Sequence, residues 1–197
     1  MNKINYNQFK KELERLKKSY FTISELKKIY GNKYSSLKNL LSRWSKENLI
    51  NPISKGIYCF DIANLDYLNL ACTLDKPSYI SFEYALNYYG LINQVPEVVT
   101  LATTNRHKFV HVGPYIFEYT KLKKSLFFGY YRVDNYYIAT PEKALLDTLY
   151  LVSRNKRLVD LYKLNTKKLS KRKLKAFLKE FPKYVELELE KFQDLNT

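Results

Sequence analysis

Apolar positions fall at helical spacing from the start of the chain. Residues 5–18 carry Phe9, Leu13 and Leu16 with lysines and glutamates between them, which predicts an amphipathic helix. Thr22-Ile23-Ser24-Glu25 is a capping-box pattern opening a second helix, SELKKIY, that stops at Gly31-Asn32. A third helix runs from about Lys33 to Lys46. Its Leu37, Leu40, Leu41 and Trp44 obey the i, i+3, i+4, i+7 rule and span an arc of about 100°. The opposite face carries Ser35, Lys38, Asn39, Ser42, Arg43 and Lys46, donors to phosphates or base edges with no acid among them. An ordinary solvated face usually mixes both signs. Leu49-Ile50 and Ile57–Phe60 then read as two short strands joined across Asn51 to Gly56, with Lys55-Gly56 as a basic turn. Helix, helix–turn–helix and hairpin, in that order, predict a winged helix-turn-helix.

The pattern changes after residue 60. The stretch 61–78 reads as a connecting helix ending at the turn Asp75-Lys76-Pro77. Ser81 is an N-cap candidate for FEYALNYY, which Gly90 closes. Val98–Ala102, Tyr115–Tyr119, Phe127–Val133 and Tyr136–Ala139 are β-rich, and His107 and His111 bracket an alternating strand. Thr140-Pro141-Glu142 has the marks of a helix start: a threonine cap, proline at the first position, then a carboxylate. Ser170 caps KRKLKAFLKEF, whose Leu174, Phe177, Leu178 and Phe181 form an apolar stripe, and helix signals return after Pro182. The fold class expected is α+β: an N-terminal winged helix-turn-helix, then an α+β domain with a mainly antiparallel sheet and a helical C-terminal tail. The boundaries expected are residues 1–62, a connection over 63–77, and 78–197 with the tail over 151–197.

Charge sharpens this picture. The chain carries 34 basic and 19 acidic side chains, but the excess is uneven: +9 over residues 1–60, −1 over 61–150 and +7 over 151–197. A uniformly lysine-rich surface does not divide this way, whereas localised binding of a polyanion predicts it. Cys59, Cys72, His107 and His111 have no metal-ligand spacing, so neither a metal nor a cofactor is expected. Two thiols, no secretory leader and no long apolar run point to the reducing cytoplasm. Residues 103–108, TTNRHK, form a polar, basic loop that lacks the glycines of a phosphate cradle. The 30 tyrosines and phenylalanines suit a core, or stacking on unpaired bases.

Three runs carry a resemblance. LKNLLSRWSKENLINPISKGIYCF, with Leu37, Leu40, Leu49, Ile50, Gly56 and Tyr58, resembles the winged-helix segment of the AbiEi antitoxin family. PSYISFEYALNYYGLINQVPEVVTLAT is similar to that family at Tyr79, Ser81, Ala85, Leu86, Gly90, Leu91, Val95 and Pro96. YYIATPEKALLDTLYL resembles its most specific signature, over Ala139 to Asp147. The resemblance covers about residues 20–150. It implies an antitoxin and autoregulatory repressor of a type IV abortive-infection operon, one that binds inverted repeats in its promoter. It also implies a nucleotidyltransferase toxin as functional partner, without need of a stable complex.

The site expectations follow. Lys38, Asn39, Ser42 and Arg43 are expected at the major groove, with Lys33, Lys46 and Lys55 on phosphates and Tyr34 and Ser35 beside them. Lys167, Lys168, Lys171, Arg172 and Lys175 form a basic tail face that is either an antitoxin contact or a solvated surface. No catalytic residue and no membrane partner are expected. Glu142-Lys143 is the one tempting catalytic pair, without an aspartate at the spacing a nuclease needs; its plainer reading is a helix start with Leu145, Leu146 and Leu149 in the core and Asp147 hydrogen-bonded nearby. The alternatives are a nuclease-like or ligand-sensing second domain behind the winged helix.

Overall fold

The computed structural model describes residues 4–16, 18–31, 34–161 and 164–194, with only the backbone for 34–36 and 192–194. It divides into two compact units, Met1–Leu70 with Val112–Pro114, and Ala71–His111 with Tyr115–Thr197. The division falls inside a helix, Tyr67–Leu74, within the stretch expected to connect two domains.

In the first unit the order is α1 (Tyr6–Glu14), β1 (Tyr20–Thr22), α2 (Ile23–Tyr30), α3 (Tyr34–Lys46), β2 (Asn51–Ser54) and β3 (Ile57–Cys59). The strands form one antiparallel sheet in the order β1-β3-β2. Asn5 caps α1 by accepting from the Gln8 amide at 2.8 Å. The helix stops at Glu14, so Leu16 leaves the expected stripe and stands 49% exposed while the chain turns into β1. β1 itself is not visible in the pattern. The capping box on α2 is present: Thr22 accepts from the Glu25 amide, and the Glu25 carboxylate accepts from the Thr22 amide at 2.9 Å. Burial favours the neutral Glu25 carboxyl, but hydrogen bonds from Lys18 and Thr22 outweigh it and hold the group below its usual value.

Phe9, Leu13, Phe21, Leu26, Leu37, Leu41, Trp44 and Ile50 make the first core. Phe9 is its hub, with ring centroids 4.9 Å from Trp44 and 5.4 Å from Phe21. The first hairpin strand lies at Asn51–Ser54, not at Leu49-Ile50. Asn48, at φ 56°, turns the chain out of α3, and the Leu49 amide returns to the Trp44 carbonyl, so these two residues belong to the helix cap. Pro52 is tolerated because β2 is an edge strand.

The chain continues through α4 (Tyr67–Leu74), which the division crosses, into β4 (Ser78–Ile80), α5 (Phe82–Tyr88), β5 (Val99–Thr103), β6 (Lys108–Val112) and β7 (Tyr115–Lys121). There follow β8 (Tyr130–Val133), β9 (Tyr136–Ala139), α6 (Pro141–Val152), α7 (Lys171–Leu178) and α8 (Lys183–Asp194). The sheet order is β6-β7-β5-β4-β9-β8. The expectation of a mainly antiparallel sheet is corrected: β4–β9 and β5–β7 pair in parallel, β4–β5 and β8–β9 antiparallel, so the sheet is mixed. The run expected as a strand from Phe127 begins only at Tyr130. A short 3-10 turn, Lys124–Leu126, precedes it, and Gly129 at φ 71° redirects the backbone.

Thr140 caps α6 by accepting from the Lys143 amide, with Pro141 in the first turn. Residues 142–151 of this helix are all buried. α5 packs against α6, as do α7 and α8. The tail's expected stripe is seated through Leu174 and Phe181, with Phe177 and Leu178 half-buried. Among the described residues no helix is long and apolar enough to cross a membrane.

Candidate nucleic-acid interface

Helix α3 turns two faces to different surroundings. Leu37, Leu41 and Trp44 are buried, and Leu40 is half-buried against the same core. Trp44 is held edge-on by Tyr6 at 5.6 Å, and the Tyr6 hydroxyl donates to the Leu49 carbonyl at 2.9 Å. That packing fixes the helix rotation, so Lys38, Asn39, Ser42, Arg43 and Lys46 stand exposed together. Of the other expected residues, Lys33 lies outside the described residues, and Tyr34 and Ser35 are described as backbone in the first turn of α3.

One part of the expectation needs correcting. Arg43 does not sit on an acid-free face: its Nε lies 3.8 Å from Glu47 Oε1, one turn on. Both groups are well exposed, so the pair is weak and leaves the guanidinium accessible. Lys55 is exposed at the turn between β2 and β3, where Gly56 takes φ 78°. The Gly56 carbonyl accepts from the Ile23 amide at 2.8 Å, tying the hairpin tip to the first turn of α2. Hairpin and helix pair are therefore placed by direct contacts.

The Thr140–Asp147 segment builds a buried polar cluster. Lys143 Nζ pairs with Asp147 Oδ1, one turn along α6, and both side chains are wholly buried. Asp147 is thus hydrogen-bonded within a helix start, as the plainer sequence reading has it, and Lys143 is one of its partners. Asp147 Oδ2 accepts from the Tyr79 hydroxyl at 2.9 Å and the Ser81 hydroxyl at 2.8 Å, and Lys143 donates to the Tyr79 oxygen at 2.9 Å. Burial pushes the Lys143 ammonium down and the Asp147 carboxyl up, while the two charges and the hydroxyl donors oppose that shift. Burial and the neighbouring Asp147 hold the Tyr79 phenol well above its ordinary value, so it stays a donor.

The rings of Tyr79, Phe128 and Phe181 surround the ammonium at 5.1–5.4 Å. A Cβ on Gly129 would meet Lys143 at 3.1–3.2 Å, so this glycine makes room for the lysine as well as the turn. The four polar groups are enclosed at 0% exposure and out of a substrate's reach. Ser81 is accordingly not a side-chain cap for α5, since its hydroxyl is spent on Asp147; Thr100 Oγ1 instead accepts from the Tyr84 amide at 3.1 Å.

The polar run 103–108 is also more structural than expected. Thr103 and Asn105 donate to the buried Asp75 carboxylate, and Lys108 lies 2.7 Å from it, so the basic residue is partly neutralised. Arg157, which the sequence pattern did not single out, bridges Glu83 and Glu118 and lies 4.7 Å over the Phe82 ring. It lines a cleft of about 370 Å³ with Glu83, Glu97, Thr100, Glu118 and Lys156. The tail residues Lys167, Lys168, Lys171, Arg172 and Lys175 are all exposed. Lys168 differs from the rest, donating to the Tyr89 carbonyl at 2.8 Å.

Among the described residues, no three His, Cys, Asp or Glu side chains converge as a metal ion would require. No protein-family model matches the chain, and no curated protein does.

Proposed function

We propose that the first unit is a winged helix-turn-helix that binds duplex DNA, with α3 in the major groove and the β2–β3 turn on a neighbouring phosphate. The observation that supports it most is the order α1-β1-α2-α3-β2-β3 with strand order β1-β3-β2, combined with an exposed α3 face bearing Lys38, Asn39, Ser42, Arg43 and Lys46. Lys55 adds a cation at the hairpin turn, and the +9 balance of residues 1–60 supplies the field such a surface needs. The wider reading is an autoregulatory repressor and antitoxin of a type IV abortive-infection operon. It rests on the resemblance of residues 20–150 to the AbiEi antitoxins. In it the second unit counteracts a nucleotidyltransferase toxin and has no catalysis of its own. A nucleotidyltransferase reading frame beside the gene would support that part.

A ligand-sensing second unit is the other reading, and the cleft at Arg157 is what favours it. Under the DNA-binding proposal, a duplex from upstream of the gene binds more tightly than a scrambled duplex of equal length. Asn39→Ala costs about 1–3 kcal/mol on the upstream duplex and relaxes discrimination at one base pair. Equal affinity for both duplexes, measured by fluorescence anisotropy at fixed salt, would count against sequence-specific regulation.

A further inference from the structure

Three tyrosines and a lysine from distant parts of the second unit meet at the end of α5. Tyr88 and Tyr89 pack edge to face at 5.1 Å. The Tyr89 hydroxyl donates to the Ala139 carbonyl at 2.7 Å and lies 3.1 Å from the Tyr131 hydroxyl on β8. Lys168, from the tail, closes the group through its bond to the Tyr89 carbonyl. Tyr88 is 48% exposed and Tyr131 44% exposed. These are large aromatic side chains left substantially in water.

The contacts hold the group in place without using up what it presents. Tyr131 is anchored by its hydroxyl, which leaves its ring open. Lys168 spends one N–H on a carbonyl of the last turn of α5, where the helix dipole favours a cation, and keeps two donors. Lys167 and Lys171, close to it in sequence, are also exposed, in a segment carrying a net +7. Open aromatic rings beside fixed cations are the combination that holds unpaired nucleotides: bases stack on the rings while phosphates meet the ammonium groups. A duplex offers no free base face, so this chemistry selects single strands.

We propose that Tyr88, Tyr131 and Lys168 form a binding surface for single-stranded nucleic acid on the second unit. The surface is separate from the α3 face and does not depend on the duplex-binding proposal. The test uses the full chain with a labelled oligouridylate, an oligothymidylate of equal length and a duplex, followed by anisotropy. Tighter binding of the uridylate identifies RNA as the ligand, and equal binding identifies single strands of either sugar.

The double variant Tyr88→Ala/Tyr131→Ala weakens single-strand binding about tenfold or more and leaves duplex affinity unchanged. Tyr131→Phe, which keeps the ring, binds like wild type. Lys168→Gln makes the log–log salt dependence for the single strand shallower by about 0.7. If the alanine variant unfolds at a lower temperature, Tyr88→Leu/Tyr131→Leu retains apolar bulk without a stacking face and is expected to lose the same affinity. Single strands bound no better than inorganic polyphosphate, or bound equally by the folded double variant, overturn the proposal. Loss of duplex binding in the Asn39 variant with single-strand binding intact shows that the two surfaces fail independently.

Discussion

Replacing Asp147 with alanine is expected to cost the protein about 3–5 kcal/mol of stability, the range for removing one partner of a buried ion pair. The cost arises because three groups lose their acceptor at once: the Lys143 ammonium and the Tyr79 and Ser81 hydroxyls. Among the described residues no other acidic side chain pairs with Lys143 Nζ, so the lysine must either stay charged and uncompensated or give up its proton. Replacing both partners, as Lys143→Met/Asp147→Leu, is expected to cost less than Asp147→Ala alone, since no buried charge is then left over. Urea denaturation followed by circular dichroism checks both. If the double variant is the less stable of the two, the pair is a net source of stability rather than a matched cost.

The second large effect is expected at Phe9. Phe9→Ala removes the ring on which Trp44, Phe21 and Phe60 converge, and core truncations of this size cost about 3–5 kcal/mol. Trp44 is the only tryptophan in the chain and is 2% exposed, so its fluorescence reports unfolding of the first unit in particular. The variant's Trp44 transition shifts to lower urea. Duplex binding falls with it although Phe9, at 0% exposure, cannot touch DNA. Retained affinity in a variant whose Trp44 environment has opened would mean that α3 does not need this core to bind.

What the sequence disclosed was mainly what is local. The capping box at Thr22–Glu25, the Thr140-Pro141 start of α6 and the Ser170 cap of α7 each depend on residues three apart, and each is present. The stripe Leu37, Leu41, Trp44 was legible for the same reason. The three-residue strands β1 and β4 were not, because three residues establish no period and their pairing partners lie 20 or more positions away. Parallel pairing of β5 with β7 and of β4 with β9 is a tertiary choice that no segment announces.

The burial of Lys143 is not legible from its spacing. A lysine four residues before an aspartate on a helix usually marks a solvated pair. The contrary signal is nearby: Ala144, Leu145, Leu146, Leu149 and Leu151 make α6 apolar on most sides, as a helix enclosed by its neighbours is. Of the proposed DNA face, the residue types and spacing are readable, but the Glu47 partner of Arg43 lies just beyond the end of α3 and outside its stripe. The meeting of Tyr88, Tyr131 and Lys168 spans some 80 residues of sequence and could not be read from any one stretch.

The central claim is that the first unit meets duplex DNA through α3 and the hairpin turn. Its most direct test is the salt dependence of duplex affinity for wild type and Lys55→Ala. If Lys55 holds a phosphate, the log–log slope of the variant is shallower by about one unit, because one fewer counterion is released, and affinity drops alike on upstream and scrambled duplexes. An unchanged slope and affinity in a folded Lys55→Ala protein that still binds DNA would place the interface elsewhere and contradict the account.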